Sequence, residues 1–424
     1  AINKGAKAII IEKTLEKYKD DIIYIKVESS RVAMALISAE FYNNPQKKLK
    51  LIGITGTNGK TTTSYLIKEI LKNAGYKTAL IGTIGNFIGD EKFPSTRTTP
   101  NSLELNKLFH KMQNNNVEYV IMEVSSHAID LKRILNLKFD AAVFTNISQD
   151  HLDYHKNFEE YIKVKSKLFE QVKADGYSVI NIDDKNSDKI ISNTTSKIIK
   201  YSINSDSDLK AKNISLDVNS SSFQLENYNK KINLNISGKF NVYNALAAIG
   251  VGLSLNISYN NIKRGLEKVE EIPGRFELVK EGQDFTVIVD YAHTSDGMEN
   301  VLKTITELPR NKIISIFGCG GDRDKDKRPK MAKVAAKYSD YFIITTDNPR
   351  SEDPEDIISD ILKGLSSNKE NFEVIIDRKE AIYKAIRLAQ KNDIIIIFGK
   401  GHENYQVFKN KTIHHRYIAN IGNY

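Results

Sequence analysis

One run of residues constrains this chain more than any other: Thr55-Gly56-Thr57-Asn58-Gly59-Lys60-Thr61. It directly follows a β-branched apolar stretch, Leu49–Thr55, and opens a helical pattern that continues to Asn73. A strand feeding a glycine-rich turn and then a helix gathers backbone N–H groups at the helix N-terminus, where partial positive charge accumulates. The glycines let those N–H groups curl round phosphate oxygens, the lysine reaches the outer phosphates, and the hydroxyl after it suits Mg²⁺. Gly56, Thr57, Asn58, Gly59, Lys60, Thr61 and Thr62 are therefore the expected nucleotide-phosphate set. The run departs from the commonest such loop, because the position five before Gly59 is Ile54 rather than glycine.

The surrounding pattern predicts an α/β protein. Lys77–Gly82, Tyr119–Val124 and Ala141–Asn146 read as further buried strands, each followed by a helix-like segment. Strands alternating with helices imply a parallel, doubly wound sheet. Residues 205–237 differ: short polar alternating runs, Ser221–Leu225 and Lys231–Ile236, predict a small antiparallel excursion, with a helix from Val242. After Ile272-Pro273-Gly274 the α/β pattern restarts, with strands expected at Thr286–Asp290, Lys312–Phe317, Tyr341–Thr346, Phe372–Ile376 and Asp393–Phe398. Helices are expected between them, at Pro329–Tyr338 and Lys379–Gln390. Before Lys48, two short strands (Ala8–Glu12, Ile22–Val27) and a helix (Ser29–Asn43) make a fragment of an α/β unit. The expected domains are thus 1–47, 48–271 and 272–424, in keeping with the two or three that 424 residues suggest.

Composition narrows the class. A single cysteine, Cys319, excludes an intrachain disulfide framework and reads as a small buried thiol. No apolar run approaches the roughly 20 residues of a membrane span, and no charged-then-apolar leader opens the sequence, so a cytoplasmic protein is expected. The net charge of +9 is spread along the chain rather than clustered. That pattern argues against a nucleic-acid footprint and suits steering of small anionic substrates.

Further motifs fall just past predicted strands, where parallel α/β sheets bind ligands. Glu123-Val-Ser-Ser-His127 and Asp150-His151-Leu-Asp153-Tyr-His155 offer Glu123 and His151 as Mg²⁺ ligands beside the phosphates. Gly318-Cys-Gly-Gly-Asp322-Arg323, Asp347-Asn348-Pro349-Arg350 and Gly399-Lys400-Gly401-His402-Glu403 sit at the strand ends of the last domain, where they could converge on one pocket for a charged ligand.

Taken in order, TGTNGKT, EVSSHA, DHLDYH, GKFNVYNALAA, PGRFE, VDYAHT, FGCGGDRDKDKRP, DNPR and GKGHE resemble the Mur ligase family over nearly the whole chain. The resemblance implies a three-domain architecture: an N-terminal UDP-binding domain, a central ATPase and a C-terminal Rossmann-like domain. It implies a ligase that adds a diamino acid to UDP-N-acetylmuramoyl-L-alanyl-D-glutamate through an acyl phosphate, with ATP and Mg²⁺, acting as a monomer on small molecules. Thr98, Thr99, Ser125 and Arg133 would hold the nucleotide-sugar peptide. Asn244 would contact adenine, with Arg275, Asp290, Tyr291 and His293 near the nucleotide. Lys60, Glu123, His151 and Lys165 form the implied catalytic set, and Thr61, Glu123, His151 and a carbamylated Lys165 the metal set. Read from the residues alone, Lys165 is one of several lysines on a helix, by default solvated, with Lys163 and Lys167 as neighbours in register. Arg323, Asp347, Asn348, Pro349, Arg350, Gly399 and Glu403 match the family's meso-diaminopimelate pattern. The physics agrees: a distal carboxylate needs a cation such as Arg350 or Arg323, and a distal ammonium needs an anion such as Glu403.

The first domain is shorter than the family's, so part of the uridine site is expected to lie outside this sequence. Ser295 stands where the family carries proline, and His414-His415-Arg416 where acidic residues commonly precede the arginine. Competing readings are the same ligase using meso-lanthionine or L-lysine, a folylpolyglutamate synthetase, a P-loop nucleic-acid motor, and a non-catalytic ATP sensor. DNPR and the VSSHA context speak against the synthetase, and no basic stripe supports the motor.

Overall fold

The computed structural model describes residues 1–95, 97–151, 153–228, 230–366 and 370–414; His415 and Arg416 lie outside the described residues. The chain opens with a two-stranded parallel pair, β1 (Ala8–Ile11) and β2 (Ile23–Lys26), followed by α1 (Ser30–Phe41). Its apolar side chains are poorly covered: Ile23, Ile25, Ile37 and Phe41 are all exposed, Phe41 by 74%.

The centre of the molecule is an eleven-stranded sheet among the described residues. Its elements are β3 (Lys50–Thr55), α2 (Lys60–Asn73), β4 (Thr78–Ile81), β5 (Asn86–Ile88), β6 (Glu91–Phe93), α3 (Ser102–Asn114), β7 (Tyr119–Glu123), α4 (Ser126–Asp130), β8 (Phe139–Phe144) and α5 (Phe158–Ser166). They continue with β9 (Val172–Asn181), α6 (Ser187–Ile191), β10 (Lys197–Ser202), β11 (Leu209–Leu216), β12 (Ser221–Leu225), β13 (Lys230–Leu234), α7 (Lys239–Ser254) and α8 (Tyr259–Glu267). The strand order is β13-β12-β11-β10-β9-β8-β3-β7-β4-β5-β6. The middle strands are parallel and apolar on both faces, because helices cover both. α2, α7 and α8 bury one face; α3 and α5 bury the other. β3 lies between β7 and β8, so the chain winds to one side of it and then the other. That reversal opens a crevice at the carboxyl end of β3, where the glycine-rich run begins.

The antiparallel excursion is present, but it is not a separate unit. β10, which the sequence reading left unassigned, pairs in parallel with both β9 and β11 and carries the excursion as the edge of the central sheet. At the opposite edge β5 and β6 form a hairpin on β4, also absent from the sequence reading. The helix expected from Val242 begins earlier, at Lys239.

The last segment holds a six-stranded sheet of order β14-β15-β19-β16-β17-β18. It is built from β14 (Glu277–Val279), β15 (Thr286–Asp290), α9 (Ser295–Thr306), β16 (Ile313–Phe317), α10 (Lys327–Tyr338), β17 (Tyr341–Ile344), α11 (Pro354–Leu362), β18 (Phe372–Val374), α12 (Arg378–Leu388) and β19 (Ile394–Phe398). A hairpin, β20 (Tyr405–Phe408) and β21 (Lys411–His414), follows. α9, α10 and α11 pack on one face and α12 on the other. Cys319 is buried at 3.6 Å from the Met331 sulfur, and burial pushes its thiol up to about 12, as suits an inert core residue.

Candidate active site

The carboxyl ends of β3, β7, β8, β9 and β15 surround a cavity of about 630 Å³ between the central and last segments. The phosphate-binding loop forms its floor. Gly56 has a φ of +152°, and a Cβ there would lie 1.9 Å from the Thr145 hydroxyl, so only glycine lets the loop press against the end of β8. Thr57 N–H donates to the Asn146 carbonyl at 2.8 Å, Asn58 N–H to the Asn146 side chain at 3.0 Å, and the Thr145 hydroxyl to the Asn58 carbonyl at 2.6 Å. The loop is thus fixed through its own backbone groups, by the backbone and side chains of Thr145 and Asn146 just past β8.

Two lysines converge on it. Lys60 Nζ folds back to donate to the Gly56 and Thr57 carbonyls, each at 2.8 Å. Lys165 Nζ donates to the same Gly56 carbonyl at 2.9 Å. Lys165 is 1% exposed, which corrects the default of a solvated helix lysine. α5 turns it inward, whereas Lys163 faces solvent and Lys167 is half-buried. Burial pushes the ammonium of Lys165 well below its usual range, and Lys60 beside it adds repulsion. Lys60 is lowered for the first reason too, with Glu123 and Asp150 opposing.

Glu123 ends β7, fully buried. Its carboxylate accepts from the Thr61 hydroxyl at 3.0 Å and from the Thr83 N–H and hydroxyl at 2.9 and 3.0 Å. His151 lines the same cavity beside Asp150, 3.4 Å away, with its backbone at φ +55°. Burial pushes its imidazole down, as it does for His127, whose ring meets it edge-on, and for His155, which packs against His127. No group of three or more His, Cys, Asp or Glu side chains that could hold a metal occurs among the described residues.

The last segment supplies the roof. Arg275 Nη2 donates to the Thr61 hydroxyl at 3.0 Å, its guanidinium lies 4.4 Å over the Tyr291 ring, and its buried Nε has no hydrogen-bond partner among the described residues. A cation with a spare donor over the loop is suited to a phosphate. Asp290 spends both carboxylate oxygens on the Phe276 and Ala292 N–H groups, so it supports the roof rather than presenting free charge. His293 lines the cavity and is held neutral by burial. Asn244 is braced by Thr63 and Asn241 behind the loop.

The nucleotide-sugar set divides. Thr98 and Ser125 line the cavity. Thr99 is buried, with its hydroxyl donated to the Glu123 carbonyl at 2.8 Å, and Arg133 donates to the Thr99 carbonyl at 2.9 Å.

The amino-acid set gathers outside this cavity, at the ends of β16, β17 and β19. Asn348 Nδ2 donates to Glu403 at 3.2 Å, and Arg350 Nη1 to the Gly321 carbonyl at 2.6 Å. Asp347 lies against Gly399, and its Oδ2 is buried without a hydrogen-bond partner among the described residues. Pro349 joins Asn348 to Arg350, whose φ of +55° aims it at the glycine turn. Arg323 is exposed beside it and donates to the Asp322 carbonyl.

Sequence reasoning missed the groups that join these parts. Asp296, on the first turn of α9, accepts from Asn58 of the phosphate loop at 3.2 Å and from the Ser148 hydroxyl at 2.8 Å. Arg328, fully buried, holds Glu352 at 2.9 Å and Asp360 at 2.9 Å, fixing the loops that carry Arg323 and Arg350. Lys400, also buried, contacts Asn348 and Glu403. Asp296 carries no local signal of partners more than a hundred residues away, whereas Lys400 stands in the GKGHE run but without a role of its own in the sequence reading.

A phosphate loop roofed by an arginine, with a second cluster of paired charges at the strand ends of the last segment, fits an ATP-handling ligase. The profile of the Mur ligase middle domain matches residues 54–252, and that of the Mur ligase glutamate ligase domain residues 274–401. The chain belongs to the Mur ligase family. It is 48% identical over 418 residues to UDP-N-acetylmuramoyl-L-alanyl-D-glutamate--2,6-diaminopimelate ligase 1 of Clostridium acetobutylicum, covering 98% of this chain and 86% of the relative. It is 49% identical to the ligase of that name from Clostridium tetani, with the same coverage. A solved structure of such a ligase superposes with a TM-score of 0.68 at 31% identity, covering 99% of this chain and 86% of that one. A folylpolyglutamate synthase of Mycobacterium tuberculosis shares the fold alone, with a TM-score of 0.70 at 16% identity over 87% of this chain and 92% of that one.

Proposed function

We propose that the chain is an ATP-dependent amide ligase that joins meso-diaminopimelate to the glutamate of UDP-N-acetylmuramoyl-L-alanyl-D-glutamate. The observation that carries the reading is the pairing, in one molecule, of the Lys60 phosphate loop with a pocket holding both Arg350 and Glu403. Likeness to diaminopimelate ligases over 98% of the chain supports it.

In this reading Thr57–Thr62 cradle the ATP phosphates, and Lys60 and Arg275 neutralise charge as the γ-phosphoryl passes to the glutamate carboxylate. Thr98, Ser125 and Arg133 lie on the dipeptide side, with Thr99 bracing them. The amine of the diamino acid then attacks the acyl phosphate, and phosphate leaves. Holding the reactants at one seam supplies much of the acceleration. Arg350 forks onto the distal carboxylate, with Arg323 at the mouth, and Glu403 accepts from the distal ammonium.

The Thr61 hydroxyl and the Glu123 carboxylate, 3.0 Å apart at the loop, are hard oxygen donors that fit Mg²⁺. His151 and a carbamylated Lys165 would complete the set, and the buried amine of Lys165, held towards its neutral form, suits reaction with CO₂. The ion would supply charge neutralisation on the phosphate oxygens. The reaction draws on ATP and nucleotide-activated precursors, which fits a cytoplasmic protein. No helix among the described residues is long and apolar enough to cross a membrane.

The test is phosphate release with ATP, Mg²⁺ and the UDP-dipeptide, offering meso-diaminopimelate, meso-lanthionine or L-lysine singly. Turnover with diaminopimelate or lanthionine and little with lysine is expected; turnover with lysine alone contradicts the pocket assignment. Lanthionine differs only by sulfur for methylene, and the charged pocket does not separate the two.

A further inference from the structure

Glu403 is assigned above to the substrate's distal ammonium, yet it already faces an ammonium of the protein's own. Gly399, at φ +101°, turns the chain at the end of β19, and Lys400 enters the pocket. The Lys400 residue is 3% exposed. Its Nζ donates to the Asn348 side-chain oxygen and to Glu403 Oε2 at 3.1 Å, and lies 3.9 Å from Asp347 Oδ1. Its ammonium also lies 5.4 Å from the Tyr405 ring centre. Asn348 closes the arrangement by donating to the same Glu403 oxygen at 3.2 Å.

The inner part of the pocket therefore sets two carboxylates, Asp347 and Glu403, against two cations, Lys400 and Arg350, while Arg323 and Asp322 add one charge of each sign at its mouth. Counted over these side chains it is neutral before substrate arrives. The distal end of diaminopimelate is a zwitterion and also neutral, so binding leaves the buried charges balanced. The distal end of L-lysine is a bare ammonium. It would bring a third cation to two carboxylates and leave Arg350 without an anion. Uncompensated charge in a buried site is costly, and specificity is gained as much by penalising the wrong ligand as by rewarding the right one.

We propose that Lys400 is a specificity-determining residue: its ammonium neutralises the Asp347–Glu403 pair and so excludes amino acids whose far end carries only a positive charge. The inference rests on the amino-acid pocket as read above. Replacing the side chain by an uncharged one leaves the pocket a charge short of neutral, which a lysine substrate would supply.

The experiment compares kcat/KM for meso-diaminopimelate and for L-lysine, by amino-acid-dependent phosphate release, in the wild-type chain, Lys400→Met, Lys400→Arg and Glu403→Gln. The wild type should prefer diaminopimelate. Lys400→Met should lower the diaminopimelate-to-lysine ratio at least about tenfold, and Lys400→Arg should keep it within about threefold. Glu403→Gln makes the pocket net positive and should raise the ratio, because lysine loses its only distal partner. This variant reads the same charge balance should Lys400→Met not fold. Equal losses for both amino acids in Lys400→Met, or a ratio that Glu403→Gln lowers or leaves unchanged, would overturn the assignment to Lys400. A wild type that uses lysine alone, or neither amino acid, would instead sink the pocket reading and the inference with it.

Discussion

The two halves of the seam are built by opposite means. The phosphate half is one contiguous run on one strand–helix junction, and its shape is set by hydrogen bonds from its own backbone groups to Thr145 and Asn146 just past β8. The amino-acid half is collected from the ends of β16, β17 and β19, three separate stretches of sequence, and is held by side-chain charge and hydrogen bonds. The first should tolerate changes in nearby charge and resist changes in backbone. The second should do the reverse, because each of its groups is fixed by an oppositely charged or hydrogen-bonding neighbour.

The sharpest way to break this contrast is at the loop. Lys60→Met should cut kcat by about 10³-fold, the cost of losing a preorganised charge on a transferring phosphoryl group. Its thermal midpoint should stay near wild type, read by calorimetry. Arg350→Met attacks the other half. It should raise the KM for diaminopimelate about thirtyfold through loss of a forked carboxylate contact. ATP binding, read by calorimetry, should not change, and equal loss of ATP affinity would show that the halves are not separable.

A smaller effect comes from pH. Burial pushes His402 down to about 4, with Arg275 and Lys92 adding repulsion. Between its unfolded value near 6.5 and that lower value, the unfolded chain binds more protons. Stability should therefore be full above pH 6.5 and fall by on the order of 1–2 kcal/mol as pH drops towards 4. His402→Gln should flatten that slope in thermal melts recorded from pH 7 to 4; an unchanged slope would count against the buried neutral imidazole. The mildest test joins the halves. Asp296→Ala removes the acceptor shared by Asn58 and Ser148 and should raise the KM for ATP about fivefold, near the roughly 1 kcal/mol net worth of a single hydrogen bond. Asp296→Asn should recover part of it.

What the sequence shows of this architecture follows the same divide. The phosphate loop was legible because its chemistry is local: strand, glycines, lysine and helix stand in one run. The buried strands β3, β4, β7 and β8 were legible for a similar reason, since their apolar runs are continuous, whereas β9, whose first half is polar, was not. The edges of the central sheet were not. β5 and β6 are three residues each, and β10 has only partly apolar faces, so pairing rather than composition defines them. Lys165 shows the limit at the site. Nothing in its helix marks it as buried; only the Gly56 carbonyl, 109 positions away, does. Asp296 is missed likewise, because its partners lie in other elements, while Lys400 stands in the GKGHE run but its contact with Asn348, 52 positions away, is not legible there.

The central claim is that the phosphate and amino-acid halves serve one reaction through an acyl phosphate. The most direct test labels the glutamate carboxylate of the UDP-dipeptide with ¹⁸O and follows the released phosphate by mass spectrometry during diaminopimelate addition. The account predicts one ¹⁸O in each phosphate, with release dependent on the dipeptide. Amide product accompanied by unlabelled phosphate would contradict it.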